Sequence, residues 1–274
     1  MSRQIPRLVI VALAALSLLL TGCSPEEGQD NGTGAAQDSQ LNKVLDRGTL
    51  RVAVLPDFPP WSVQTPSGDF EGYEVDLANE LANAMGVDLE LVSTDGTSRL
   101  PLLESDRVDV NISAFTATNE RAVSVGFTIP YAAAGASVLF QEGTNIESYE
   151  DLAGLRVAVA RGSTNDTIMT QRFPETEVVR FETIADAIQA LKSGKVDATV
   201  EGEATVATQA EDNENLRQID APPLNPSPIS MGVLPDDQDW INYLDNFIRN
   251  MNISGRNAEL YEKWFDSEFP DVIG

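Results

Sequence analysis

The chain has no histidine and a single cysteine in 274 residues, and its 18 lysines and arginines face 43 aspartates and glutamates. Without histidine there is neither a Ser-His-Asp triad nor a histidine-ligated metal. One cysteine permits no internal disulfide and no zinc site of the cysteine type, and no cofactor is expected. A net charge of −25 leaves no basic face for nucleic acid or anionic lipid headgroups, and suits solubility outside the cell. Long apolar stretches are also scarce. The run at residues 8–20 is shorter than the ~20 residues of a membrane span, and Arg3 and Arg7 stand before it. That layout predicts a secretory signal peptide over residues 1–22.

What is present is enough for real cores, since 42% of the residues are hydrophobic and the length suggests two domains of ordinary size. Cys23 follows Leu20-Thr21-Gly22, which looks like a bacterial lipobox, so Cys23 is the expected lipidation site. The chain is then expected at the outer face of the cytoplasmic membrane, held there through its lipid anchor only. Residues 24–40 are rich in Gly, Asp, Glu, Gln and Ser and predict a disordered tether.

From Leu41 the composition changes. A short helical face ends at Gly48, and residues 50–55 form an apolar strand. An amphipathic helix over 72–86, strands at 89–92 and 108–112 and a short helix over 98–104 complete a βαβ pattern, which predicts a largely parallel sheet. The pattern then recurs. Residues 50–54 and 155–159 both read LRVAV, and RVDV at 107–110 is echoed by KVDA at 195–198. Two matches in the same order imply two lobes of similar design. The second comprises strands at 155–160, 177–181 and 196–200, with helices from Ser163, over 183–193 and from about Ala204. The α/β chain thus divides into lobe 1 (41–131 and 229–274) and lobe 2 (136–226), with flexible hinges near 131–135 and 226–230. Two amphipathic helices, 236–251 and 256–265, are expected to return to one lobe. A cleft between hinged lobes is where a ligand would sit.

Residues 113–131, SAFTATNERAVSVGFTIPY, hold the leading site candidate. Thr118 is expected to N-cap a helix, which places Arg121 near the positive end of its dipole, where a cation is unfavourable unless an anion faces it. Either Arg121 is simply solvated there, or a small-molecule carboxylate is bound by Arg121, Thr116 and free N–H groups.

Taken together, LRVAVLPDFPPW (50–61), FEGYEVDLANELANAMG (70–86), TSRLPLLESDRVDV (97–110), FTATNERAVSVGFTIPY (115–131), DLAGLRVAVARGST (151–164), ALKSGKVDATV (190–200) and AELYEKWF (258–265) resemble the bacterial extracellular solute-binding proteins of family 3. These are receptors for ABC importers of polar amino acids. The resemblance implies a type II periplasmic-binding-protein-like fold with a two-stranded hinge, a monomer, and ABC transporter permease subunits as partners. It also implies site roles. Arg121 matches the arginine that holds the ligand α-carboxylate, helped by Thr116 and the backbone at Ala114. Phe58 matches the aromatic against the ligand side chain, and Ser163 and Thr164 match groups that meet the carboxylate as the lobes close. Arg99 matches an arginine of members resembling glutamate or aspartate receptors, and Arg161 would add positive charge at the cleft. The chain departs from the pattern at Gly202, where members carry an aspartate for the ligand ammonium; Glu201 or Glu203 is the expected substitute. Leu55 replaces an acid found in receptors for basic amino acids. An acidic or amide amino acid is therefore the expected ligand, with a compatible solute, or an enzyme of the cyclohexadienyl dehydratase type, as alternatives.

Overall fold

The repeated LRVAV segments mark the same device in two places. In the computed structural model, which describes residues 39–270, the Asp109 N–H donates to the Arg51 carbonyl, and the Asp109 carboxylate accepts from the Arg51 N–H and, at 2.8 Å, from its guanidinium. Arg156 and Asp197 do the same, again at 2.8 Å. In each half the pair ties the first strand to the third. The expected leader, Cys23 and most of the tether lie outside the described residues.

The first half begins with α1 (Gln40–Arg47), whose start corrects the tether boundary: Ser39 caps it and donates to Asp237 at 2.7 Å. Strand β1 (Thr49–Val54) is followed by a three-stranded sheet of β2 (Asp57–Phe58), β3 (Ser62–Gln64) and β4 (Phe70–Glu71). Helix α2 (Tyr73–Met85), β5 (Asp88–Ser93), α3 (Arg99–Glu104) and β6 (Val110–Asn111) complete it. Strand β1 pairs in parallel with both β5 and β6.

Strand β7 (Gly126–Gln141) leads into the second half, where β8 (Arg156–Ala160), α4 (Thr164–Arg172), β9 (Glu177–Phe181), α5 (Ile184–Lys192), β10 (Ala198–Gly202) and α6 (Glu203–Glu211) repeat the alternation. Strand β8 pairs in parallel with β9 and β10. After β11 (Leu216–Gln218), β12 (Leu224–Val233) runs antiparallel to β7, and α7 (Gln238–Ile253) and α8 (Arg256–Phe265) close the chain.

This is the expected α/β architecture, with a difference at the connections. Residues 131–135 are not a loose link but lie inside the 16-residue β7, and the proline-rich 221–230 forms most of β12. Alanine, glycine and proline there have poor strand propensity, and pairing between the two strands, with bulges at three places, overrides it. The order β5-β1-β6-β12-β7-β10-β8-β9 makes one sheet through both halves.

The first core gathers Trp61, Tyr73, Tyr131 and Trp240, each at most 1% exposed, and α8 returns to it through Phe265, 4.9 Å from Trp61. Ala160, Ile184 and Ile188 of the second half join the same cluster, so the two halves are packed against each other.

Candidate functional site

Loops at the strand ends converge on a cavity between the halves. The space there, open mouth included, is about 880 Å³. Phe58, Arg99, Ala114, Thr116, Arg121, Ser163, Thr164 and Glu201 all line it.

Arg121 is not on an α-helix. Residues 121–123 form one 3-10 turn, too short to set a helix dipole against Arg121, although the Thr118 hydroxyl does accept from the Arg121 N–H at 3.2 Å. The position is decided by tertiary contacts. Nη1 donates to the Thr116 carbonyl and Nη2 to the Gly162 carbonyl across the mouth, both at 3.0 Å. Gly96 belongs to the same closure: a Cβ there would stand 2.5 Å from the Arg161 carbonyl oxygen, an approach only glycine permits.

Arg99 is 7% exposed and donates to the Ser113 hydroxyl at 3.1 Å and carbonyl at 2.7 Å. Both guanidinium carbons lie near the Phe115 ring, 4.9 Å away for Arg99 and 5.1 Å for Arg121. Burial, then repulsion by Arg121, brings the Arg99 pKa down to about 10. Burial also lowers that of Arg121. Among the described residues neither arginine forms an ion pair. Two neighbouring cations, each with a pKa lowered by burial and neither held in an ion pair, are what a carboxylate would stabilise.

Two expectations need correction. The Ala114 N–H is not available to an anion, because it donates to Glu74 Oε1 at 2.6 Å while Ala114 holds a left-handed φ of 48°. Arg161 does not line the cavity; its guanidinium pairs with Glu182 at 2.8 Å, both side chains being largely exposed. Phe58 also differs from a simple loop aromatic. It sits in a two-residue strand, 7% exposed, with its ring stacked 6.4 Å from Trp61, so it is cavity wall and core together. Ser163 caps α4 by accepting from the Asp166 N–H at 3.1 Å, which leaves its hydroxyl proton for another acceptor.

Sequence reasoning missed Glu74. This fully buried carboxyl takes bonds from Ala114 and from the Tyr131 hydroxyl, and burial raises its pKa to about 7. It fixes the Ala114 turn from behind the cavity wall. Its only sequence signal was an acid inside the apolar stripe of α2. Glu201 lies 2% exposed with Oε1 unpartnered, and burial together with Asp57 lifts its pKa to about 8.

The family model for bacterial extracellular solute-binding proteins, family 3, matches residues 50–267. The chain belongs to that family. A glutamine-binding protein of Geobacillus stearothermophilus is 30% identical over 262 residues, 90% of this chain and all of the relative. Among solved structures, a mutant of ArgBP from T. maritima superposes with a TM-score of 0.78 at 33% identity, covering 83% of this chain and 100% of that one. An ancestral amino-acid-binding protein, a precursor of cyclohexadienyl dehydratase, superposes with a TM-score of 0.77 at 32% identity, covering 83% and 99%. These neighbours share the type II architecture of family 3, and the sites of this family 3 chain are built on it.

Proposed function

We propose that this family 3 protein is an extracytoplasmic receptor that closes two hinged lobes over a polar amino acid and presents it to an ABC importer. The observation that carries this is the pair of buried Arg99 and partly buried Arg121 in one cavity, neither of which forms an ion pair among the described residues. Arg121 takes the ligand α-carboxylate, with Thr116 and the start of α4 at Ser163 and Thr164 completing the grip. Arg99 receives a side-chain carboxylate or amide, which favours glutamate, aspartate or their amides over basic ligands. Cys23 tethers the monomer to the membrane beside the permease subunits.

Thermal-shift measurements against the L-amino acids and compatible solutes test the reading, because ligand at 100 times its Kd stabilises by about 2.7 kcal/mol. A shift with a compatible solute alone would replace the amino acid. Arg99→Ala is expected to weaken an acidic amino acid at least tenfold more than glutamine, since only the acid loses an ion pair, in which both donor and acceptor are charged. Equal losses in calorimetry would remove the preference for acidic ligands.

A second reading, an enzyme of the cyclohexadienyl dehydratase type, draws on Glu201, which is held as a neutral carboxylic acid in the cavity wall and so suits a general acid. Purified protein that converts prephenate or arogenate to product would establish it.

A further inference from the structure

The family's aspartate is missing at position 202, and in this structure Phe58 lies against that glycine. Gly202 ends β10 at the cavity, and a Cβ on it would come within 2.8 Å of Phe58 Cζ. That ring is buried and stacked on Trp61, so a side chain at 202 would have to displace it. The acid that meets a ligand ammonium must therefore come from elsewhere in the wall.

Of the acids in that wall, Asp95 accepts from Thr97 and Ser98 and Glu182 pairs with Arg161, which leaves Asp57 and Glu201, one from each half. Glu201 is buried with Oε1 bonded to nothing, its other polar contacts being the Asn165 amide and the Ala160 N–H. Asp57 reaches across from β2 to the start of α5, where Oδ2 accepts from the Ala185 N–H at 2.8 Å. Asp57 is the charged group that acts on Glu201 and neither guanidinium does, whereas Arg99 responds to Arg121 and also to the acids Glu74 and Asp95. Guanidiniums and a carboxyl that they do not neutralise, in the wall of one cavity, match the two ends of a zwitterion. We infer that Asp57 and Glu201 form the ammonium subsite of this receptor, taking over from position 202, with Phe58 filling the space that a side chain there would need.

This inference rests on the amino-acid reading above, and it adds a consequence. The groups acting on Glu201 are Asp57, Asn165 and Ala160, and none is cationic; Asp186 in turn acts on Asp57. An empty subsite therefore holds Glu201 protonated near neutral pH, and an arriving ammonium supplies the missing countercharge. Binding an amino acid then releases a proton from the Glu201 carboxyl to solvent.

The test is calorimetry on the full chain at pH 7 in two buffers of different ionisation enthalpy. The probes are L-glutamate and L-glutamine, with glutarate and glutaramate as their amino-free counterparts. The wild type is expected to bind the amino acid with release of most of one proton. Glu201→Gln, nearly isosteric with the protonated acid, is expected to lose that release and to weaken the amino acid at least tenfold, while the amino-free counterpart is unaffected. Asp57→Asn should act in the same direction. Unchanged affinity and proton release in Glu201→Gln would overturn the subsite and leave the amino-acid reading standing. Binding of neither amino acid by the wild type would overturn both. Gly202→Asp provides a second check: it is expected to weaken binding by displacing Phe58, and tighter binding would return the ammonium to position 202.

Discussion

Replacing Arg121 with alanine is expected to weaken ligand binding by roughly 30-fold or more while the chain folds as before. The side chain carries no ion pair, and its two hydrogen bonds go to carbonyl oxygens that line the cavity mouth. Its loss from the empty protein is therefore cheap. In the complex it is costly, because a buried ligand carboxylate would be left unpaired, at about 2–5 kcal/mol, or roughly 30- to several-thousand-fold in Kd. The bond to Gly162 crosses from one half to the other, so the variant also loses a contact that holds the closed form. Arg121→Lys keeps the charge but not the planar fork and should lie between the two. Calorimetry together with circular dichroism reads both effects. Near-normal affinity in Arg121→Ala would take this residue out of the site.

Stability of the ligand-free protein should fall between pH 5 and pH 8. Glu74 and Glu201 are both buried, and their pKa values are raised from 4.5 to about 7 and about 8. In the unfolded chain both carboxyls ionise near 4.5, so over the interval up to 8 the folded state binds more protons than the unfolded one. Stability therefore decreases as pH rises through that window. Taking about half of the full linkage value, to allow for relaxation around buried carboxyls, the loss is of order 4 kcal/mol. Asp95 and Asp197, lowered by bonds from Thr97 and Ser98 and from Arg156, work in the opposite direction. They stabilise above their unfolded value of 3.8 and lose that stabilisation only in stronger acid. The maximum is expected near pH 5. Urea unfolding at pH 5, 6.5 and 8 checks this, with Glu201→Gln expected to remove much of the slope. A profile that is flat or rising over that range would mean that the two carboxyls are ionised in the fold.

Some of this protein was readable along the chain because its signals are local. LRVAV and the VDV and VDA segments repeat a strand with its tie, and the alternation of apolar strand and amphipathic helix needs only neighbouring residues to be recognised. Arg121, Thr116, Ser163 and Thr164 follow strands in short motifs, and the structure brings all four to one cavity. Arg161 was misplaced because its partner, Glu182, comes from the end of another strand.

Tertiary structure alone decided the rest. A glycine- and alanine-rich segment becomes a continuous strand because β12 lies beside it, which no local propensity announces. Glu74 meets Ala114 across 40 residues, and Asp57 meets Ala185 across 128. Burial at such meetings sets the charge state of an acid, and burial is a property of the packed molecule. From sequence, Gly202 is only a missing aspartate. In the fold it is where the Phe58 ring packs, because a Cβ there would come within 2.8 Å of Cζ and the ring would have to move.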